Sequence, residues 1–471
     1  MALGVIPIYY LGRKLEMEKI LEVISNVNAA VNGFVWGPVM LTLLIGVGLF
    51  LTVRTNFVQF LKFVYVAKNT IGSVFRKDQH NKDQSGVSPF QAVATAMAGT
   101  IGTGSIAGIA TAIVAGGPGA VFWMWVSALL GMVTKYSEIV LSLHYREKNE
   151  KGQWIGGPMY YIRNGLGLKW LAALFAIFAM VACLGTGNAT QSNSIAVALE
   201  STMGVSPWIT GIVLVVLVAA VILGGVRRIS AVNEKLVPFM AVFYVACSVV
   251  AIIFNIDKVP AAFALIFREA FNFKAAAGGA AGYGIMTAMH YGFARGVFSN
   301  EAGLGSAPIA HAASSAKNPV DQGLWGMFEV FFTTIIICTL SALVILTTGF
   351  WNTGEYQGAA LSIASFNAIL PGVGGIIVTL ATIFFATSTI LGWAYYGEVS
   401  VQFLFKSTKA VWVYRVIYVA IVLVGAVGSL ELIWSISETM NGFMAIPNLI
   451  GILGLYKIVC KLTKEYFNGK K

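Results

Sequence analysis

Long, uninterrupted apolar runs dominate this chain and recur too often for a soluble core. A helix crossing the hydrocarbon of a bilayer needs about 20 mostly apolar residues. Eleven runs meet that need: Phe34–Thr55, Pro89–Ala115, Gly119–His144, Lys169–Gln191, Pro207–Val226, Leu236–Asn255, Tyr283–Ala312, Gln322–Thr348, Val373–Ser400, Val411–Leu430 and Leu432–Lys461. Strands of a membrane barrel would show segments of about ten alternating residues. These runs are longer and continuously apolar, so the expected fold is an all-α polytopic membrane protein. Two further stretches, Phe57–Phe75 and Val259–Phe271, mix aromatic and aliphatic residues with Lys62, Lys68 and Arg268 and are expected to lie along the interface.

The second to sixth spans and the seventh to eleventh form two sets of five. An odd number per set turns the sets in opposite directions, which is an inverted repeat. The expected organisation is residues 1–33 as an N-terminal extension, 34–55 as an extra span and 56–88 as a cytoplasmic linker. Residues 89–255 and 283–461 then form the two five-helix sets, separated by an outer interfacial segment at 256–282 and followed by a basic tail at 462–471. The repeat leaves a trace. Thr95-Ala96-Met97 precedes Gly99-Thr100-Ile101-Gly102-Thr103-Gly104 in the second span, and Thr287-Ala288-Met289 precedes Gly292 and Gly296 in the seventh. Each is the first helix of its set, and each is expected to be discontinuous at its glycines.

Composition sharpens the class. Charged residues are 11% of the 471 and hydrophobic residues 57%, with mean hydropathy +0.78. Soluble domains carry about 25% charged residues, so most of this exterior faces lipid. The net charge of +11 does not mark nucleic-acid binding, because its distribution follows topology. With the loop after the first span inside, 23 of the 31 lysines and arginines fall on inner segments and six on outer ones. That asymmetry puts the N-terminus outside and the C-terminus in the cytoplasm of a multi-pass cell-membrane protein. Met1–Leu11 lacks the basic start and small-residue cleavage site of a signal peptide, and Met17 is a second possible start. Cys183, Cys247, Cys338 and Cys460 lie far apart in or beside apolar segments and are expected as buried small hydrophobes rather than a disulfide or metal site.

Glycine in a membrane helix serves either close helix packing or a break. The cluster Gly99, Gly102 and Gly104, interleaved with Thr100, Thr103 and Ser105, favours a break. Unwound backbone at membrane depth survives only where protein buries it or where it lines a cavity. A break there frees carbonyls suited to a small hard cation and amides suited to a carboxylate. The run Gly102-Thr-Gly104-Ser-Ile-Ala-Gly108 imitates a dinucleotide loop, but it lacks the preceding strand and later acidic residue which that motif needs.

Several longer motifs then carry a resemblance. Gly116-Gly117-Pro118-Gly119-Ala120-Val121-Phe122-Trp123-Met124-Trp125-Val126 and Gly296-Val297-Phe298-Ser299-Asn300-Glu301-Ala302-Gly303-Leu304-Gly305-Ser306-Ala307-Pro308 are similar to the two signatures of the alanine/glycine:cation symporter family. Gly156-Gly157-Pro158-Met159-Tyr160 and Gly392-Trp393 with Tyr395-Tyr396-Gly397-Glu398 also fit, so the resemblance spans about Val31 to Leu462. It implies sodium-coupled, or alternatively proton-coupled, symport of L-alanine, glycine or another small neutral amino acid, and a LeuT-type five-plus-five fold behind one extra helix. No cofactor is implied beyond the coupling sodium ion. Through that fold, the Thr103 and Gly104 amides would hold the substrate carboxylate. The carbonyls of Ala98 and Ile101, with Thr387, Ser388 and Thr389, would hold sodium.

Other positions carry two readings each. Gln191 or Asn193 meets the charged ends of the substrate, with Gly187 one turn earlier leaving room for it; or this polar run is a hydrated helix end. Carbonyls near Phe298 and Ser299 receive the substrate ammonium, while Phe298 and Trp393 restrict the pocket to a methyl group or hydrogen; or these aromatics only pack. Lys135 with Glu138, and Arg295 with Glu301, are costly at membrane depth and are expected to pair internally, Glu301 being also a candidate inner gate or, with Glu138, a proton carrier. His290 and His311 have no partner at metal-ligand spacing, and no H-E-x-x-H or G-x-S-x-G motif appears, so an enzyme is not expected; a channel is a further alternative. The partners expected are the amino acid, sodium and membrane lipid, with no nucleic acid.

Overall fold

A computed structural model describes residues 22–74, 86–271, 281–428 and 431–469. The sequence questions at Met1–Leu11 and Met17 therefore lie outside the described residues. The chain folds into helices α1 (Pro38–Arg54), α2 (Pro89–Thr100), α3 (Ala107–Gly116), α4 (Gly119–His144), α5 (Pro158–Leu166), α6 (Lys169–Leu184), α7 (Thr190–Met203), α8 (Pro207–Ile222) and α9 (Gly225–Phe254). It continues with α10 (Val259–Ala270), α11 (Ala281–Asn300), α12 (Ala307–Ala312), α13 (Pro319–Val330), α14 (Thr339–Thr348), α15 (Gly358–Ile369), α16 (Gly374–Phe405), α17 (Thr408–Val427) and α18 (Glu431–Asn468). The stretch after α1 forms three short helices, Val58–Leu61, Phe63–Asn69 and Ile71–Val74, and the second stretch expected at the interface forms the single helix α10. A two-residue antiparallel ribbon, β1 (Glu147–Lys148) with β2 (Trp154–Ile155), interrupts the helical pattern between α4 and α5.

Among the described residues, eight helical stretches are long and apolar enough to cross a bilayer. Three expected spans are shorter here: two are split into α2–α3 and α11–α12, and α8 has 16 residues. Several ends also move outward. The first stretch begins by Glu22 rather than Phe34, the fourth runs to Met203 rather than Gln191, and α9 starts at Gly225 rather than Leu236. Hydropathy marks only the apolar part of a helix, whereas Arg227, Arg228, Glu234 and Lys235 extend α9 without breaking it.

The interior is joined by small residues that let backbones approach. A methyl group on Gly292 of α11 would lie 2.5 Å from the Ala120 carbonyl oxygen, and one on Gly326 of α13 would lie 2.3 Å from Ile139, both on α4. These contacts correct one expectation. Gly292 and Gly296 do not interrupt their helix; α11 runs unbroken to Asn300 and the break falls later, over residues 301–306. There Glu301, Gly303 and Gly305 take φ of 57°, 94° and 80°, the left-handed region that glycine enters freely.

Candidate functional site: two helix breaks around a small polar cavity

The first break begins with a well-specified helix. Ser88 and Gln91 exchange backbone and side-chain bonds of 3.1 Å in a capping box, and Pro89 fits the first turn. The Ile101 amide still reaches Met97 O at 2.7 Å. Gly102 is then extended (φ −112°, ψ −164°), and one tight turn, Thr103–Ser105, leads into α3. The Ala98 carbonyl, released from the helical ladder, accepts from Thr389 Oγ1 at 2.9 Å and Ser388 Oγ at 3.4 Å. Each hydroxyl also lies 2.9 Å from Phe385 O, so each can exchange acceptors within α16. Three neutral oxygens thus converge, a donor set suited to a small hard cation. A methyl group on Gly102 would stand 2.8 Å from Thr389 Oγ1, which explains glycine at this position.

Beyond the oxygens lies a cavity of about 20 Å³, walled by Gly99, Thr100, Gly102, Gly104, Thr186, Gln191, Phe298, Glu301, Thr389, Trp393 and Asn441. One buried water needs roughly 10–15 Å³ on this scale, so any larger guest enters by displacing side chains. The amides of Gly102, Thr103 and Gly104 meet no backbone carbonyl among the described residues and are free for an anion. Gln191 is held in the wall, accepting from Thr103 Oγ1 at 3.1 Å and donating to Thr186 O at 3.1 Å. Opposite, Trp393 Nε1 donates to Glu301 Oε1 at 3.0 Å, and Ser306 Oγ donates to Glu301 Oε2 at 2.6 Å. Asn441 on α18 is buried, and its side-chain oxygen has no hydrogen-bond partner among the described residues.

The second break frees further carbonyls. The Glu301 amide closes the last helical bond to Val297 O at 2.7 Å. The next two amides turn aside, Ala302 N to Asn300 Oδ1 at 3.0 Å and Gly303 N to Glu138 Oε1 at 2.9 Å. The Phe298 and Ser299 carbonyls therefore receive no amide from the chain that follows. Lys135 Nζ caps Asn300 O at 2.9 Å and pairs with Glu329 at 2.8 Å, not with Glu138. His311 Nε2 lies 3.0 Å from the same carboxylate, and all three side chains are fully buried. Outside the small cavity, a chamber of about 220 Å³ shares Gly104, Thr186 and Phe298 with it and is also lined by Arg295 and Glu438, an ion pair at 3.1 Å.

The expected site residues divide by location. Ala98, Thr103, Gly104, Gln191, Phe298, Ser388, Thr389 and Trp393 gather at the break and its cavity. Ile101 caps α2 with its side chain buried. Thr387 lies half-buried outside the cavity wall. Asn193 points elsewhere, donating to Gly425 O at 3.1 Å and Gly428 O at 2.9 Å at the end of α17. Ser299 meets Ser105 Oγ and Cys338 Sγ at 3.3 Å each, behind the cavity. The space at Gly187 belongs to Trp393, whose Cβ would be 2.3 Å from an added methyl, and a π-helical turn at Gly185–Ala189 carries it there. Asn441 and Thr186 are not legible in the sequence: nothing local distinguishes Asn441 from Asn448 and Asn468 on the same helix α18, and Thr186 sits one residue before the polar run Gly187–Asn193.

Two facing helix breaks, a small polar cavity between them and an antechamber behind an ion pair define a membrane transporter. The profile of the sodium:alanine symporter family matches residues 21–471, and the chain belongs to that family. It is 48% identical over 458 residues to the sodium/alanine symporter AgcS of Methanococcus maripaludis, covering 96% of this chain and 99% of that one. It is 47% identical over 450 residues to an uncharacterized transporter of Haemophilus influenzae, covering 95% and 97%. A crystal structure of a variant manganese transporter from Eremococcus coleocola is similar with TM-score 0.51 at 14% identity, covering 83% of this chain and 82% of that one, a likeness of fold alone. The protein is a secondary transporter and not an enzyme.

Proposed function

We propose that this chain couples inward sodium flow to the uptake of alanine or glycine by alternating access. The observation that carries the reading is the meeting of the Ala98 carbonyl with the Ser388 and Thr389 hydroxyls beside the cavity. In this reading sodium replaces those hydrogen bonds, with the Ile101 carbonyl as a further donor. The substrate carboxylate sits on the Gly102–Gly104 amides, and its ammonium meets the carbonyls of Phe298 and Ser299 and the side-chain oxygen of Asn441. Phe298 and Trp393 close over the methyl group, which restricts the guest to alanine or glycine. Eleven spans, arranged as one leading helix and two inverted sets of five, give the rocking motion its symmetry. The N-terminus is outside, so Phe298 and the Arg295–Glu438 pair guard the outer route, and the Trp393–Glu301–Ser306 bonds close the inner one.

A zwitterion carries no net charge, so each sodium moves one charge inward. A potential of 100 mV supplies about 2.3 kcal/mol per charge, enough for roughly 50-fold accumulation. The test is alanine and glycine uptake into proteoliposomes with sodium, potassium or choline outside. Uptake that is indifferent to the cation rejects sodium coupling, and uptake driven by a pH gradient without sodium selects the proton-coupled alternative.

A further inference from the structure

A second cavity, of about 500 Å³, opens where the β1–β2 turn passes the start of α9, the end of α16 and the start of α17. We propose that it binds the phosphate-bearing headgroup of an anionic membrane lipid. Four features converge on that chemistry. The first is charge: Lys151, Arg227, Lys409 and Arg415 line the cavity against Glu150 and Glu398. Arg415 answers Glu398 with two parallel bonds, at 2.7 and 2.6 Å, and in the rest of the wall Lys151, Arg227 and Lys409 outnumber Glu150.

The second is a polar group without a partner. Tyr395 lines the cavity and is 4% exposed, yet its hydroxyl makes no hydrogen bond among the described residues. A buried phenol normally finds an acceptor, and a phosphate oxygen in the cavity supplies one. The third is backbone: α9, 30 residues long, begins at the cavity with Gly224 and Gly225 and no side-chain cap. Its first amides and the positive end of its dipole suit an anion. The fourth separates a lipid from a soluble anion. Leu223 and Trp412, 53% and 59% exposed, belong to the cavity lining, so an apolar border stands beside the charges. A phospholipid needs both, whereas free phosphate needs only the charges.

The placement links this cavity to the candidate ion site. Ser388 and Tyr395 are seven residues apart on α16, two turns along one helical face and about 10 Å along the axis. A headgroup held at Tyr395 therefore bears on the helix that carries the hydroxyls. The leaflet concerned is the cytoplasmic one if the proposed orientation holds, but binding is measurable without it and without transport.

The experiment is native mass spectrometry and thermal melting of the purified full-length protein. The probes are dioctanoyl phosphatidylglycerol, dioctanoyl phosphatidylcholine and inorganic phosphate. The variants are K151Q/R227Q/K409Q, which alters exposed side chains, and Tyr395→Phe, which keeps the volume. The expected result is selective retention of phosphatidylglycerol. Affinity should fall about tenfold or more in the triple variant and about threefold or more in Tyr395→Phe, with melting of the lipid-free proteins unchanged. Binding of inorganic phosphate that competes with the lipid, and is lost in the same variants, keeps the phosphate site and assigns its source to solution. Equal retention of both lipids, or unaltered binding by the triple variant, overturns the proposal and leaves the transport reading untouched.

Discussion

Replacing Thr389 with valine tests the ion site with little change in shape. The substitution removes one oxygen from the three that meet at the first break and puts a methyl group in its place. In the ion-free state the loss is one hydrogen bond to Ala98 O at 2.9 Å, which Ser388 at 3.4 Å partly replaces. A neutral bond of this kind is worth about 0.5–1.5 kcal/mol, so melting should fall only slightly. With a cation bound, the lost oxygen faces a full charge, and contacts of that kind are worth about 1.5–3 kcal/mol. Sodium half-saturation of alanine uptake should therefore rise by roughly 10- to 150-fold, while maximal uptake at saturating sodium changes much less. The assay is uptake into proteoliposomes across a sodium titration at constant ionic strength, alongside the sodium-induced shift in melting. Half-saturation within twofold of the parent, with the melting shift retained, refutes the assignment of Thr389 to the ion.

Three other outcomes follow from the same geometry. Gly104→Ala places a methyl group 3.0 Å from Phe298 Cδ1 in an already narrow cavity, so alanine uptake should fall more than glycine uptake; equal losses in a competition assay argue against a size filter here. Glu329→Leu leaves Lys135 charged and unpaired in the interior, which should cost about 3–5 kcal/mol of stability. Adding Lys135→Met should restore part of it, and a double variant that melts no higher than the single contradicts this account. Glu438→Gln breaks a partly exposed pair with Arg295, worth about 0–1 kcal/mol to the fold. Melting should hold while substrate release to the outer side quickens in counterflow, and unaltered counterflow removes the pair from the gate.

What local patterning reveals here is set by the bilayer. Hydrocarbon demands a long apolar run and an internally satisfied backbone, so the eight long apolar helical stretches among the described residues, the helix at Val259–Ala270 and the glycine–threonine break after Thr100 were all readable from neighbouring residues. The family signatures were readable for the same reason, being continuous in the chain. Glycine alone was ambiguous. At Gly102 it makes room for Thr389, but at Gly292 it receives the Ala120 carbonyl, and only the partner helix distinguishes the two uses. The same limit explains why the second break lay at Glu301–Ser306 and why Lys135 chose Glu329 over Glu138, its neighbour on one face. It also explains why Asn441 reached the cavity and Asn193 did not. Buried charges and orphaned carbonyls find whichever partner three-dimensional packing brings within about 3 Å, and for Lys135, Glu138, Ala98 and Asn193 those partners come from segments more than a hundred residues away.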